Sequence, residues 1–310
     1  MLKVNKKILL GIIIVCLILF LSSTCVAGMS VQEVISNMQK NYEKQMKGIN
    51  DYTIVQKGTG GMAALAGETT IYYKKAEIKG EVIYKTRTES EVMGMVMVSI
   101  YDGNYNWSKN PMTGEIEEKI SEYDPGKMWK NLGLTKTEYL GEEEIEGEKT
   151  YVLQVDDALQ VMGNQQATPS QGGQSEGSVE SWGKLWISSK TWMPVRMLIV
   201  FKAKSEGQAS EMAMNTKMTT DIKDYRQVGT MLHPYQLVMN MVMEIDTSGL
   251  NEEEKKEQEQ AMQMMQAMIS GMGSFSIDTV DVKVNSGLSD VCVNSLGVVF
   301  FGEKNSSGFR

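Results

Sequence analysis

From residue 51 onward, short stretches of alternating apolar and polar residues are separated by turn-forming residues. Alternation places successive side chains on opposite faces of a β-strand. Turn signals such as Asp102-Gly103-Asn104 join neighbouring stretches, so the pattern predicts hairpins and an antiparallel sheet. The predicted strands are residues 51–58, 68–75, 81–90, 91–101, 105–109, 115–120, 137–141, 149–156, 184–187, 195–204, 212–224, 235–245 and 276–284.

Three segments have helical rather than alternating spacing. Ser30-Val31-Gln32-Glu33 has the form of a capping box, and the apolar residues after it repeat at helical intervals until Gly48. A short helix is expected within residues 124–134. A long one is expected at residues 251–270, where three glutamates occupy the first turn and favour the helix dipole.

No sharp change of composition divides the chain, so we expect one domain over residues 28–310. Within it, residues 160–181 are poor in apolar side chains and rich in Gln, Gly and Ser, which predicts a flexible loop.

The first residues have the order typical of a secretory signal. Three lysines precede an uninterrupted apolar run at residues 8–21, and small and polar residues follow. We therefore expect residues 1–27 to be a signal peptide that is cleaved after Ala27. Lipidation of Cys25 after cleavage at Thr24, and an uncleaved anchor, are the second and third interpretations.

Methionine recurs at positions that would share one face of an element. The chain has 25 methionines, and several alternate within predicted strands. Others group in the helix predicted at residues 251–270. The flexible thioether side chain suits surfaces that must fit several apolar partners, although an ordinary core with unusual methionine usage remains the alternative. The groups are Met93, Met95 and Met97; Met212, Met214 and Met218; Met239, Met241 and Met243; and Met262, Met264, Met265 and Met268.

Charge and residue content argue against several functional classes. The net charge is −8 and no basic patch stands out, so nucleic acid is not an expected partner. The single histidine, His233, precedes Pro234 and is expected in a turn, where it offers neither a catalytic triad nor a histidine-based metal site. We expect no enzyme activity, no cofactor and no metal. Copper(I) held by methionine clusters is a minor alternative.

Several short motifs occur in an order that resembles the LolA/LolB superfamily of lipoprotein carriers, of the outer-membrane lipoprotein-sorting type. Each motif is mainly a turn with its flanking strand residues, and together they cover nearly all of the chain after residue 28. The motifs are the opening helix with residues 49–53, Tyr-Asp-Gly-Asn-Tyr-Asn-Trp at 101–107, the hairpin at 139–153, Leu-Trp-Ile at 185–187 with Thr-Trp-Met-Pro-Val-Arg-Met at 191–197, Asp-Tyr-Arg at 224–226 with Leu-His-Pro-Tyr at 232–235, and residues 282–285.

The resemblance implies a mainly antiparallel α+β fold, a half-open, strongly curved β-barrel wrapped around helices. It also implies a hydrophobic cavity for lipid or lipoprotein acyl chains, a place in the periplasm or cell envelope, and a membrane-bound donor or acceptor protein as a possible further partner. A regulatory sensor of envelope state on the same scaffold is the alternative. The candidate cavity residues are Met93, Met95, Met97, Trp107, Met197, Met239, Met241, Met243, Met262, Met265 and Met268.

The chain departs from the family pattern at one early strand. Family carriers often have Lys-Pro followed shortly by Arg there, and that Arg helps to hold the helical lid. Residues 75–79 read Lys-Ala-Glu-Ile-Lys, without the Pro or the Arg. The handover of lipoproteins is thus a weaker expectation than the binding of a lipid or another hydrophobic ligand.

Overall fold

Antiparallel strand pairing organises the chain, as the alternation predicts. The computed structural model describes residues 29–60, 66–92, 94–121, 124, 126–161, 179–204, 213–246 and 274–294. In these ranges the strands are β1 (Asp51–Thr59), β2 (Ala66–Ile78), β3 (Glu81–Val92), β4 (Met95–Tyr101), β5 (Tyr105–Lys109), β6 (Ile116–Ile120), β7 (Thr137–Ile145), β8 (Glu148–Asp156), β9 (Val179–Ser188), β10 (Pro194–Lys204), β11 (Ala213–Val228), β12 (Met231–Asp246) and β13 (Ser274–Val284). The helices are α1 (Val31–Gln45), α2 (Met128–Leu132), α3 (Ala158–Val161) and α4 (Asp290–Asn294).

The strands of the described ranges form one open, curved sheet in the order β6-β5-β4-β3-β2-β1-β13-β12-β11-β10-β9-β8-β7. Two meanders, β1–β6 and β7–β13, meet where β1 pairs with β13. β6 and β7 lie at the two edges. The prediction of a mainly antiparallel sheet is confirmed.

Several predicted boundaries were wrong. The strand expected at residues 91–101 is interrupted at Gly94, whose φ of 77° suits a turn, so β3 ends at Val92 and β4 begins at Met95. The ends of the predicted loop 160–181 belong to α3 and β9, and α4 was not predicted. His233 lies inside β12, opposite Arg226, and not in a turn. The residues predicted as signal peptide and long helix, 1–27 and 251–270, lie outside the described ranges.

Cross-strand register shows that methionines from distant strands share one face of the sheet. Paired residues point to the same side, as do alternate residues along a strand. Met239 is opposite Thr220 on β11 and Phe275 on β13, and Thr220 is opposite Met197 on β10. The same side continues across β1, β2 and β3 to Met97 on β4. We call this side the methionine face.

The core cluster beneath α1 lies on the methionine face. Met46 and Ile49, which follow α1, pack with Tyr52 and Ile54 of β1 and with Tyr84 of β3, and all five are buried. Leu153 and Leu185, in register with Met197, are also buried.

A missing side chain lets α3 approach this face. Gly183 is in register with Ile199, which alternates with Met197, so a side chain at residue 183 would point to the methionine face. A Cβ there would lie 2.7 Å from the Cβ of Ala158 and 2.6 Å from the carbonyl oxygen of Leu198. Glycine thus permits the close contact between α3 and β9.

Leu153→Ala is expected to lower the free energy of unfolding by about 2–5 kcal/mol, because a fully buried leucine leaves a cavity. Leu140→Ala is the matched control. Leu140 is 47% exposed, so its truncation should change stability by less than about 0.5 kcal/mol. Urea unfolding followed by tryptophan fluorescence gives both values, and equal losses would contradict the assignment of the core.

Candidate functional site

The methionine face collects several of the predicted cavity residues. Met95, Met97, Met197, Met239 and Met241 all lie on it by register. Met241 is directly opposite Met218 of β11, which adds a sixth thioether to the row. Five strand steps separate β4 from β12, or about 24 Å at ~4.8 Å a step. The residues therefore form a long band rather than one compact cluster.

Exposure varies along this band. Met197 is buried at 7%, whereas Met239 and Met241 are partly buried. Met95 and Met97 are 37% and 44% exposed. Neighbouring apolar residues of the same face, Phe275 among them, are also only partly buried. The band therefore begins in the core and extends into accessible surface.

Trp107 does not join the methionines. It pairs with Ile100 of β4, and Ile100 alternates with Met97 and Tyr101, so Trp107 lies on the opposite face. Its indole Nε1 lies 3.4 Å from Asp102 Oδ2, and its ring is 6.0 Å from that of Tyr105. Its place in the β4–β5 hairpin accounts for it without a ligand.

The other predicted cavity residues cannot be placed. Met93, Met262, Met265 and Met268 lie outside the described ranges. The backbone of Met243, in β12, pairs with Thr216 of β11, but the Met243 side chain is not described. Their participation in a cavity stays a prediction.

A cleft of about 550 Å³ opens at the end of the methionine face that α1 and α2 cover. Tyr84 and Lys75, which are opposite each other on β3 and β2, form part of its floor. Tyr42 and Met46 approach from α1 and the turn after it, and Trp129 from α2. Its size is typical of sites for small molecules or polar headgroups.

Two hydrogen-bond donors beside this cleft lack partners among the described residues, and the acceptor Asp124 Oδ2, 3.6 Å from Lys127 Nζ, has no hydrogen bond there either. The Tyr42 hydroxyl and the Trp129 indole Nε1 are buried, and neither has a hydrogen-bond partner within the described part of the chain. Their rings lie 6.4 Å apart. Burying an unbonded donor costs about 1–3 kcal/mol. Burial, followed by the charge of Asp124, raises the pKa of Tyr42 and keeps its hydroxyl protonated.

An ion cluster closes one wall of the cleft. Glu81 Oε1 accepts hydrogen bonds from Lys127 Nζ at 2.9 Å and Lys130 Nζ at 2.8 Å, and Lys127 also donates to the carbonyl of Val82. The hydrogen bond from Lys130, followed by that from Lys127, lowers the pKa of Glu81. Lys127 lies 3.6 Å from Asp124 as well, so its buried ammonium is well compensated.

His233 occupies a partly buried position on the same sheet. The Thr279 hydroxyl lies 3.3 Å from His233 Nε2 and donates its proton to the carbonyl of Pro234 at 3.2 Å. A Thr279 hydroxyl that donates to Pro234 accepts from His233, which corresponds to the neutral tautomer with its proton on Nε2. Burial lowers the pKa of His233 to about 4.

No pattern in the sequence indicates the cleft. Tyr42 and Trp129 belong to separate helices, and Glu81 and Lys127 are 46 residues apart. Only the packing of α1, α2 and the β2–β3 hairpin brings them together. No group of three or more His, Cys, Asp or Glu that could hold a metal occurs in the described ranges. None of the helices found there is long and apolar enough to cross a membrane.

No protein-family model and no curated protein matches this sequence. Among solved structures, an outer membrane lipoprotein-sorting protein domain from Vibrio parahaemolyticus is similar, with 11% identity, a TM-score of 0.44 and coverage of 83% of this chain and 95% of that one. A DUF1329 family protein from Desulfovibrio piger has 13% identity, a TM-score of 0.41 and coverages of 82% and 95%. The Mycobacterium tuberculosis lipoprotein LppX has 10% identity, a TM-score of 0.23 and coverages of 53% and 86%.

The first of these structures is of the type that the sequence motifs resemble. All three TM-scores are below 0.5, so these likenesses carry no argument about the function of this chain.

Tyr84→Phe is expected to lower the free energy of unfolding by about 1–2 kcal/mol, because the Tyr84 hydroxyl donates to the carbonyl of Ile49 at 2.7 Å. Tyr42→Phe removes a buried hydroxyl that has no partner, so stability should stay equal or rise. Urea denaturation of the two variants without ligand measures the difference. A larger loss for Tyr42→Phe would show that its hydroxyl is bonded.

His233→Gln should flatten the fall of stability on acidification. Below pH 6.5 the unfolded chain binds a proton at this position, while the folded chain stays neutral until about pH 4. The wild type should therefore lose roughly 1–3 kcal/mol more than the variant between about pH 7 and pH 4. Because His233 is the only histidine, the difference between the two urea-midpoint curves isolates it. Parallel curves would contradict the lowered pKa.

Proposed function

We propose that this protein is a non-enzymatic, extracytoplasmic carrier or binder of lipid or lipoprotein acyl chains. The ligand lies along the methionine face. The observation that carries the proposal is the continuation of this band from buried residues such as Met197 to accessible ones such as Met97, on one side of one sheet.

The composition of the band favours an interchangeable apolar ligand over a fixed packing partner. Met218, Met239 and Met241 lie on adjacent strands, and Met239 is beside Phe275. Unbranched thioethers repack at low cost when the shape of a neighbour changes. An apolar strip that stays partly exposed is also the kind of surface that binds ligands or partners.

The architecture that goes with this function is a half-open barrel whose sheet wraps around the helices. Contacts of α1 with α2, of α2 with α3, and of α3 with β9 and β10 support that arrangement. We place the protein in the periplasm or cell envelope, with residues 1–27 as its targeting segment.

Mass spectrometry of solvent extracts from the purified protein tests the proposal most directly. We expect lipid or acylated species to co-purify in a fixed ratio to protein, and to be lost after delipidation and restored on incubation with envelope lipids. Protein that carries no lipid but holds a membrane protein stably would favour the regulatory-sensor alternative and would contradict a carrier.

Met239→Gln with Met241→Gln is expected to weaken binding of a fluorescent fatty acid by about tenfold, because the ligand would lose apolar contact along the face. Val242→Gln is the matched control, since Val242 alternates with Met241, points to the opposite face and is 53% exposed. The control should bind like the wild type. Equal losses from both faces would exclude the methionine face as the binding surface.

A further inference from the structure

The cleft between α1, α2 and the β2–β3 hairpin has a chemistry different from the methionine band. Its lining combines aromatic side chains with three lysines, Lys47, Lys75 and Lys127, and two glutamates, Glu43 and Glu81. A fourth lysine, Lys130, also binds Glu81, which leaves the local balance positive in a protein of net charge −8.

Two exposed lysines of the lining carry the positive charge that is not paired with a carboxylate. Among the described residues, neither Lys47 nor Lys75 has a carboxylate partner, whereas Lys127 is held by Glu81 and Asp124. Glu43 is the remaining acid of the lining, and it already accepts a hydrogen bond from Gln39 at 2.8 Å. Two ammonium groups therefore border a cleft large enough for a headgroup.

The two buried donors of the wall, from Tyr42 and Trp129, favour an anionic ligand, as the lysines do. Indole Nε1 of Trp129 can only donate, and the Tyr42 hydroxyl is kept protonated and can donate as well. Both side chains line the cleft, so both donors belong to residues that border a group bound there. Donors and cations without acceptors define a site for an anionic group with several oxygens.

We propose that this cleft binds a phosphate group, with Lys47 and Lys75 supplying charge and Tyr42 and Trp129 supplying hydrogen bonds. The lipid source of that phosphate rests on the function proposed above. The acyl chains of a phospholipid would follow the methionine face, because Tyr84 and Lys75 belong to that same face of the sheet.

Calorimetric titration of the full chain with three probes tests this site. The probes are dihexanoyl phosphatidic acid, dihexanoylglycerol and inorganic phosphate. We expect the phosphatidic acid to bind more tightly than the diacylglycerol, and its affinity to fall as salt is added. Lys47→Gln with Lys75→Gln should weaken phosphatidic acid by about fivefold to twentyfold and leave the diacylglycerol unchanged.

Matched variants distinguish an effect at the site from an effect of net charge and from a loss of folding. Lys40→Gln with Lys44→Gln makes the same charge change on exposed positions of α1 that do not line the cleft, and should alter binding by less than about twofold. Trp129→Phe should weaken phosphatidic acid several-fold, whereas Trp107→Phe on the opposite face should not. Urea unfolding of each variant confirms that it is folded at the titration temperature.

The outcomes distinguish this inference from the proposed function. Equal binding of both lipids, unaffected by the lysine changes, would overturn the phosphate site and leave acyl-chain binding intact. If neither lipid binds, the carrier proposal fails. The titration with inorganic phosphate is then the test of the phosphate site. Binding of inorganic phosphate that depends on Lys47 and Lys75 would support the phosphate site, with free phosphate as the source. Absence of that binding would overturn the site.

Discussion

The pairing of β1 with β13 is the constraint on which the shared methionine face depends, because it joins the two meanders into one sheet. Its register shifts by one residue: Val55 is opposite Asp281, whereas Gln56 is opposite Thr279. Val280 is the extra residue and is 59% exposed. A one-residue shift changes which side chains of a strand share a face.

This bulge lets β13 serve two purposes on the same side of the sheet. Before it, Phe275 and Ile277 are in register with Met239 and Leu237 of β12. After it, Val282 and Val284 are in register with Ile54 and Tyr52 in the core beneath α1. With regular alternation in place of the bulge, Val282 and Val284 would lie on the face opposite to Phe275 and Ile277. One irregularity of pairing thus keeps the core and the candidate binding band continuous.

Much of the fold could be predicted from local sequence, since alternation and turn chemistry act within a few residues. The hairpin at Asp102-Gly103 and the strand containing Met239 and Met241 were found in this way. The placement of Trp107 was not, because a face is defined only by register against neighbouring strands, and the bulge beside Val280 has no local signature. The cleft was missed for a related reason: Lys127 contacts Glu81 through packing that no periodicity describes.

A closed core buries its apolar side chains and pairs its buried polar groups. The methionine face fails the first condition at one place and the second at another. Toward β4 it leaves Met95 and Met97 accessible, which loses hydrophobic stabilisation. Under α1 and α2 it buries the donors of Tyr42 and Trp129 without acceptors, which costs hydrogen-bond energy. A sequence shaped only for stability would avoid both, and such departures concentrate where proteins act. A ligand with an apolar chain and an oxygen-rich anionic end would relieve both costs, which is why the two proposals belong to one surface.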